Sequence, residues 1–117
     1  VSLGNEGTII ANGYTSAGIY THEEGAVTTL GDSASVNARA DHDLPAYGVW
    51  ADNSGTNILG KGSTITSSAT GKSNSAALFA ANGGANQVGN GAQIKAETET
   101  GFAYGVETDQ GTNWEQI

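Results

Sequence analysis

The side chains with the most chemistry to offer fall into three groups. Glu97, Glu99, Glu107 and Asp109 gather towards the C-terminal end, and carboxylates that converge on one groove cleave glycosidic bonds. Asp41-His42-Asp43, ahead of Leu44-Pro45, and His22-Glu23-Glu24 carry side chains able to ligate a metal. Tyr20, Trp50 and Phe79 are aromatic surfaces of the kind that stack on sugar rings or dock a partner.

Spacing decides among them. The four carboxylates occur in a single stretch, and with Arg39, Lys61, Lys72 and Lys95 as the only cations a groove for an acidic polysaccharide is poorly supplied. The chain has no G-x-S-x-G, and its serines are scattered without a paired histidine. Neither H-E-x-x-H nor the calcium nonapeptide G-G-x-G-x-D occurs, so the His/Asp/Glu trios read as solvated charge in loops. No catalytic residue, metal or cofactor is therefore assigned, and the segment reads as non-enzymatic. The aromatic residues differ because they recur at a fixed interval, and the elements that position them explain why.

Three apolar columns run through the whole chain. Leu3, Leu30, Leu59 and Val88 each precede a glycine, and Ile117 falls on the same count, with spacings of 27, 29, 29 and 29. Ile9, Val36, Ile65 and Ile94 follow six residues after the first four. Ile19, Val49, Leu78 and Val106 form the third column, spaced 30, 29 and 28. Around each column the pattern alternates with period two. In SVNARA, Val36, Ala38 and Ala40 face inward. TITSSA puts Ile65, Ser67 and Ala69 inside, and QIKAET puts Ile94, Ala96 and Thr98 inside. Their outward neighbours stack as Asn37/Thr66/Lys95 and Arg39/Ser68/Glu97, a wet face. No stretch shows the helical i, i+3, i+4 pattern.

One 29-residue unit offers too few apolar side chains to offset its own ordering entropy. Stacking units at ~4.8 Å satisfies the backbone and buries the columns against each other. The sequence thus predicts an all-β, single-stranded parallel β-helix of about four coils, with three short strands each. It forms a single unit, 1–117, with coils at about 5–31, 32–60, 61–89 and 90–117, and 1–4 closing a preceding coil. The turns GNEG, GDS, GKG and GNG supply glycine for positive φ. A hairpin meander would instead need a reversing turn every 8–12 residues or so. Asn53/Asn82 and Asn57/Asn86 recur at matching positions and are expected in turns, laddering amide to amide or capping them.

Units such as AYGVWADNSGTNILG and GSTITSSATGKSNSAALFAANGGANQVG resemble the repeats of Gram-negative autotransporter passenger domains of the pertactin-like and adhesin-like class. The motif is A-Y-G-[VI]-x-A-x-N-x-G followed by an S-x-I-x-x-S strand, and the likeness covers the whole chain. It implies a right-handed β-helix displayed at the bacterial cell surface, with a separate outer-membrane barrel. It also implies adhesion to a host glycan or surface protein, or self-association. The other reading in view is a β-helical carbohydrate-binding or carbohydrate-active protein, tailspike-like or lyase-like, with its active residues elsewhere.

On the second strand the residue after each inward position is Tyr20, Trp50, Phe79 and then Glu107. A carboxylate in that series places the position outside, since burying it unpaired is costly. Tyr20, Trp50 and Phe79 are thus expected as a flat exterior strip on Gly18, Gly48, Ala77 and Gly105. They either meet a ligand or partner there or merely stack on one another. The T-x-T of Thr64-Ile65-Thr66 has the form of an ice-binding array, but its neighbours Ser35-Val36-Asn37 and Gln93-Ile94-Lys95 do not extend it.

Composition sets the remaining bounds. A net charge of −8 opposes nucleic acid and anionic membranes. The absence of cysteine excludes disulfides and thiolate chemistry. No run approaches the ~18 apolar residues of a membrane span. Neither end of the chain reads as a cap, so end-to-end association of the isolated chain is expected.

Overall fold

The computed structural model describes residues 2–115. Thirteen strands and no helix make up the described chain. Ser2–Leu3 (β1), Val27–Leu30 (β4), Thr56–Leu59 (β7), Ala85–Val88 (β10) and Thr112–Glu115 (β13) stack into one sheet in that order. Thr8–Gly13 (β2), Ser35–Ala40 (β5), Thr64–Ala69 (β8) and Gln93–Thr98 (β11) form a second. Ser16–His22 (β3), Ala46–Asp52 (β6), Ser75–Ala81 (β9) and Ala103–Asp109 (β12) form the third. Every strand pair is parallel. The chain is a β-solenoid of about four coils, each contributing one strand to each of three sheets.

Register follows the apolar columns. Val36 pairs with Ile9 and Ile65, and Ile65 with Ile94. Val49 lies between Ile19 and Leu78, and Leu59 between Leu30 and Val88. Val36, Val49, Ile65, Leu59, Leu78 and Val88 are all buried in one core cluster. Full burial of one such side chain contributes about 1.5–3 kcal/mol, so the columns are what hold successive coils in phase. The predicted inward sets hold in the two central coils, where Ala38, Ala40, Ser67 and Ala69 are buried. In the last coil Val106 is 53% exposed, because β12 has a neighbouring strand on one side only among the described residues.

One end of the first column differs from expectation. Ile117 lies outside the described residues, and the ladder sets Glu115, not an apolar residue, opposite Val88. The last spacing is therefore two residues shorter than the column count suggested, because the path from β11 to β12 is one residue shorter than in the coil before and the turn at Gln110, with φ 61°, removes another between β12 and β13.

Glycine supplies the positive φ in two of the four turns, at Gly62 and Gly91, but not in the other two. The positive φ falls on the third residue of each turn, Glu6, Ser33, Gly62 and Gly91, not on the first glycine. That first glycine serves a different need. A Cβ on Gly60 would sit 2.4 Å from Asp32 Oδ1 and 2.6 Å from the Gly31 carbonyl carbon, so the stacked corners admit no side chain there. The following side chains tie one corner to the next: Asn5 Oδ1 accepts from the Asp32 N–H and Asp32 Oδ1 from the Lys61 N–H, both at 2.9 Å.

A buried polar ladder runs inside the β4–β7–β10–β13 sheet. Asn57 Nδ2 donates to Asn86 Oδ1, and Asn86 Nδ2 to Asn113 Oδ1, each at 2.8 Å. Thr21 Oγ1 donates to Asn57 Oδ1 at 2.6 Å. Asn57 and Asn86 are fully buried within strands, not in turns as expected. The amide-to-amide contact itself is as expected. A one-coil slip would leave these groups without partners, at about 1–3 kcal/mol each.

Candidate functional site

The third sheet carries the candidate face. Tyr20, Trp50, Phe79 and Glu107 are register partners in succession along it, and all four project outward. Tyr20 is 49% exposed, while Trp50, Phe79 and Glu107 are half-buried. The ring centroids of Tyr20 and Trp50 lie 4.4 Å apart at 46°, and those of Trp50 and Phe79 lie 5.5 Å apart at 89°. The strip is therefore continuous but not flat. Trp50 and Phe79 meet edge against face, the arrangement that opposed quadrupoles favour, and Tyr20 is tilted against Trp50.

A fourth ring, Tyr47, belongs to this cluster. It lies 4.7 Å from Trp50 and 5.1 Å from Phe79. Strict alternation would place Tyr47, three residues before Trp50, on the opposite side. The strand instead bends, with Gly48 and Val49 both buried in succession, so both rings emerge on one face. Trp50 Nε1 is buried without a hydrogen-bond partner, so within the fold the indole is held by packing of its rings.

Two residues beyond the aromatic column, the same face carries His22, Asp52, Ala81 and Asp109. Here the structure assembles a polar cluster. Tyr20 Oη donates to Asp52 Oδ2 at 3.1 Å and lies 3.0 Å from His22 Nδ1, which is itself 3.3 Å from Asp52 Oδ2. Asp52 Oδ1 accepts from Asn82 Nδ2 at 2.8 Å and from the Asn53 N–H at 3.0 Å. The Asp52 side chain is buried, and its acceptor sites are engaged. The bond from Asn82 does most to hold its carboxyl below the usual range; burial opposes this, and Tyr20, His22 and Asn53 add to it. Desolvation, then the bond to and charge of Asp52, push the Tyr20 phenol above its ordinary value. Tyr20 is thus a fixed hydroxyl, not a base.

The far end of the face is the opposite case. Glu107 has no ion pair or side-chain hydrogen bond among the described residues. Partial burial and then the charge of Asp109 raise its carboxyl above the ordinary range. Burial, and secondarily the charge of Glu107, raise the Tyr47 phenol.

The remaining sequence candidates are dispersed. Glu97 and Glu99 lie towards the β11 face and do not join Glu107 and Asp109. With Arg39, Ser68, Thr70 and Thr98 they line a shallow depression of about 170 Å³, and Glu97 pairs with Lys95 at 2.5 Å. Asp41 and His42 bond to each other at 2.7 Å in an exposed loop, where His42 also stacks on Tyr14. No group of three metal-capable side chains occurs among the described residues. His22 was expected in a loop but ends β3, and its period-two spacing from Tyr20 puts both on one side. That signal was present in YTH over WAD.

Comparison of the chain with models of protein families, with curated proteins and with solved structures finds no match in any of the three.

Proposed function

We propose that this chain is a segment of a secreted bacterial surface adhesin of the autotransporter-passenger class, acting as a rigid stalk whose third sheet makes contact. The contact partner is a host glycan or surface protein, or an identical solenoid on a neighbouring cell. The resemblance of the repeats supports the class, and the parallel solenoid supports the stalk. The observation that carries the contact face is the interlocked cluster of Tyr20, Trp50, Tyr47 and Phe79 on an outward surface. Large rings cost little conformational entropy when already held, so such a cluster binds without first ordering itself. Many weak contacts along a stalk then add by multivalency.

The test is Trp50→Ala with Phe79→Ala, read in a glycan array, a protein-coated adhesion assay and a cell-clumping assay, with circular dichroism as the control for folding. Loss of attachment or clumping with the β signal intact is the expected result. Unchanged attachment and clumping removes this face as the contact surface.

A second reading has one observation in its favour. The depression lined by Arg39, Ser68, Thr70, Glu97, Thr98 and Glu99 is rich in hydroxyl and carboxylate groups, as a saccharide groove would be. In that case the protein is a carbohydrate-binding or carbohydrate-active β-helix. Release of reducing ends from a polysaccharide panel would favour it over the adhesin.

A further inference from the structure

The third sheet carries no Lys or Arg. Arg39 lies in β5, Lys95 in β11, and Lys61 and Lys72 in turns. Its outward face nonetheless ends in two carboxylates, Glu107 on β12 directly opposite Phe79 and Asp109 two residues on. Glu107 is half-buried and lacks any compensating partner among the described residues. Beside it stand the rings of Phe79 and Tyr47, 5.1 Å apart at 52°.

Leaving a desolvated carboxylate unpaired is unfavourable unless something completes it. Aromatic faces next to a carboxylate are the arrangement that attracts an organic cation, which gains from the ring quadrupole and the negative charge together. The four rings of the face meet at 44° to 89° and present no shared plane on which a pyranose could lie. A cationic side chain needs only one ring and one carboxylate, and a guanidinium can stack and pair at once.

We infer that Tyr47, Phe79, Glu107 and Asp109 form a recognition site for a guanidinium or ammonium side chain of a partner polypeptide. This deepens the contact-face reading above and rests on it, by giving the face a ligand chemistry. Glu107 supplies the ion pair at the ring edge, Tyr47 and Phe79 supply the π surface, and Asp109 adds longer-range attraction from an exposed position. Burial, and then the charge of Asp109, raise the Glu107 carboxyl, and a bound cation would offset both.

The experiment is an NMR titration of the folded chain with N-acetyl-argininamide, with N-acetyl-lysinamide and a glucosamine oligosaccharide as parallel arms. The expected result is saturable shifts of the Tyr47 and Phe79 ring signals with the arginine probe. Affinity should fall about tenfold in Glu107→Gln, and less in Asp109→Asn. Glu107→Gln removes an unpaired charge and should fold at least as well as the parent, so its loss of binding is not a loss of structure. Three results overturn the site: no saturable shift with either amino-acid probe, equal affinity in Glu107→Gln, or binding of the glucosamine oligosaccharide alone. The Trp50→Ala/Phe79→Ala double variant removes one of the site's own rings and should also bind the arginine probe more weakly. Arginine-probe binding by a protein that fails every attachment assay refutes the adhesive role and leaves this site standing.

Discussion

Two carboxylates on the same face of the third sheet meet opposite fates. Asp52 sits where β6 ends, and its oxygens accept from Tyr20, Asn82 and the Asn53 N–H, with His22 in contact. Glu107, two coils away on β12, is half-buried with only Asp109 for electrostatic company. The first has its proton affinity lowered and the second has it raised. The difference lies in the donors around each, since both are acidic residues projecting from equivalent strands. Asp52 is built into the scaffold and holds Tyr20 in place. Glu107 has no such partner among the described residues, and under the proposed cation site that asymmetry separates the part of the face that supports from the part that would bind.

The largest expected effect lies beneath both regions. Asn86→Ala removes the centre of the buried ladder, leaving Asn57 Nδ2 and Asn113 Oδ1 without their partner. Asn57 bonds towards Thr21 next to Tyr20, and Asn113 Nδ2 towards the Glu107 carbonyl, so the two ends share this support. A loss of about 2–5 kcal/mol is expected, seen as a fall in the urea midpoint reported equally by aromatic signals from both ends. An unchanged midpoint would show that the ladder does not link them.

Asp52→Ala comes next. Deleting the acceptor of several donors should cost about 1–3 kcal/mol, whereas Asp109→Ala, at an exposed position whose side chain has no hydrogen bond among the described residues, should stay within about 0.5 kcal/mol. Equal effects in urea unfolding would dissolve the distinction between scaffold and site.

The smallest effect is in pH dependence, where the two carboxylates act with opposite sign. The lowered Asp52 carboxyl stabilises the fold above its unfolded value of roughly 3.9, and that contribution is lost as pH falls through the folded value. The raised Glu107 carboxyl gives a contribution that is full below its unfolded value of roughly 4.3 and is lost as pH rises through the folded one. Glu107→Gln should therefore raise the urea midpoint at neutral pH, with the gain vanishing near pH ~4. A constant gain across that range would mean the charge of Glu107 is not its source.

Much of this was legible in the residues themselves. The columns Leu30/Leu59/Val88, Val36/Ile65/Ile94 and Ile19/Val49/Leu78 gave the coil length and the parallel register, because positions covered from above and below favour apolar residues unless, as at Asn57 and Asn86, hydrogen bonds satisfy a polar one. Tyr20, Trp50 and Phe79 were placed outside by Glu107 in the same series, and they lie there. Tyr47 was not foreseen, since the bend at Gly48 breaks the alternation that assigns sides. Asp52 was overlooked because its partners come from three coils, His22 and Tyr20 above and Asn82 below, and a scan along one turn sees none of them together. The positive φ at Ser33 was hidden for a similar reason: the glycine of its turn, Gly31, is required by close stacking of corners, not by torsion.

The contact face requires Tyr20, Trp50 and Phe79 to lie over one another on successive parallel strands. Nuclear Overhauser contacts measured on the isotope-labelled chain test this directly. Cross-peaks should join the Trp50 indole to the ring protons of both Tyr20 and Phe79, together with sequential-coil contacts from Val36 to Ile65 to Ile94. Trp50 lacking contact with either ring, or Hα–Hα contacts between antiparallel neighbours, would contradict both the fold and the face built on it.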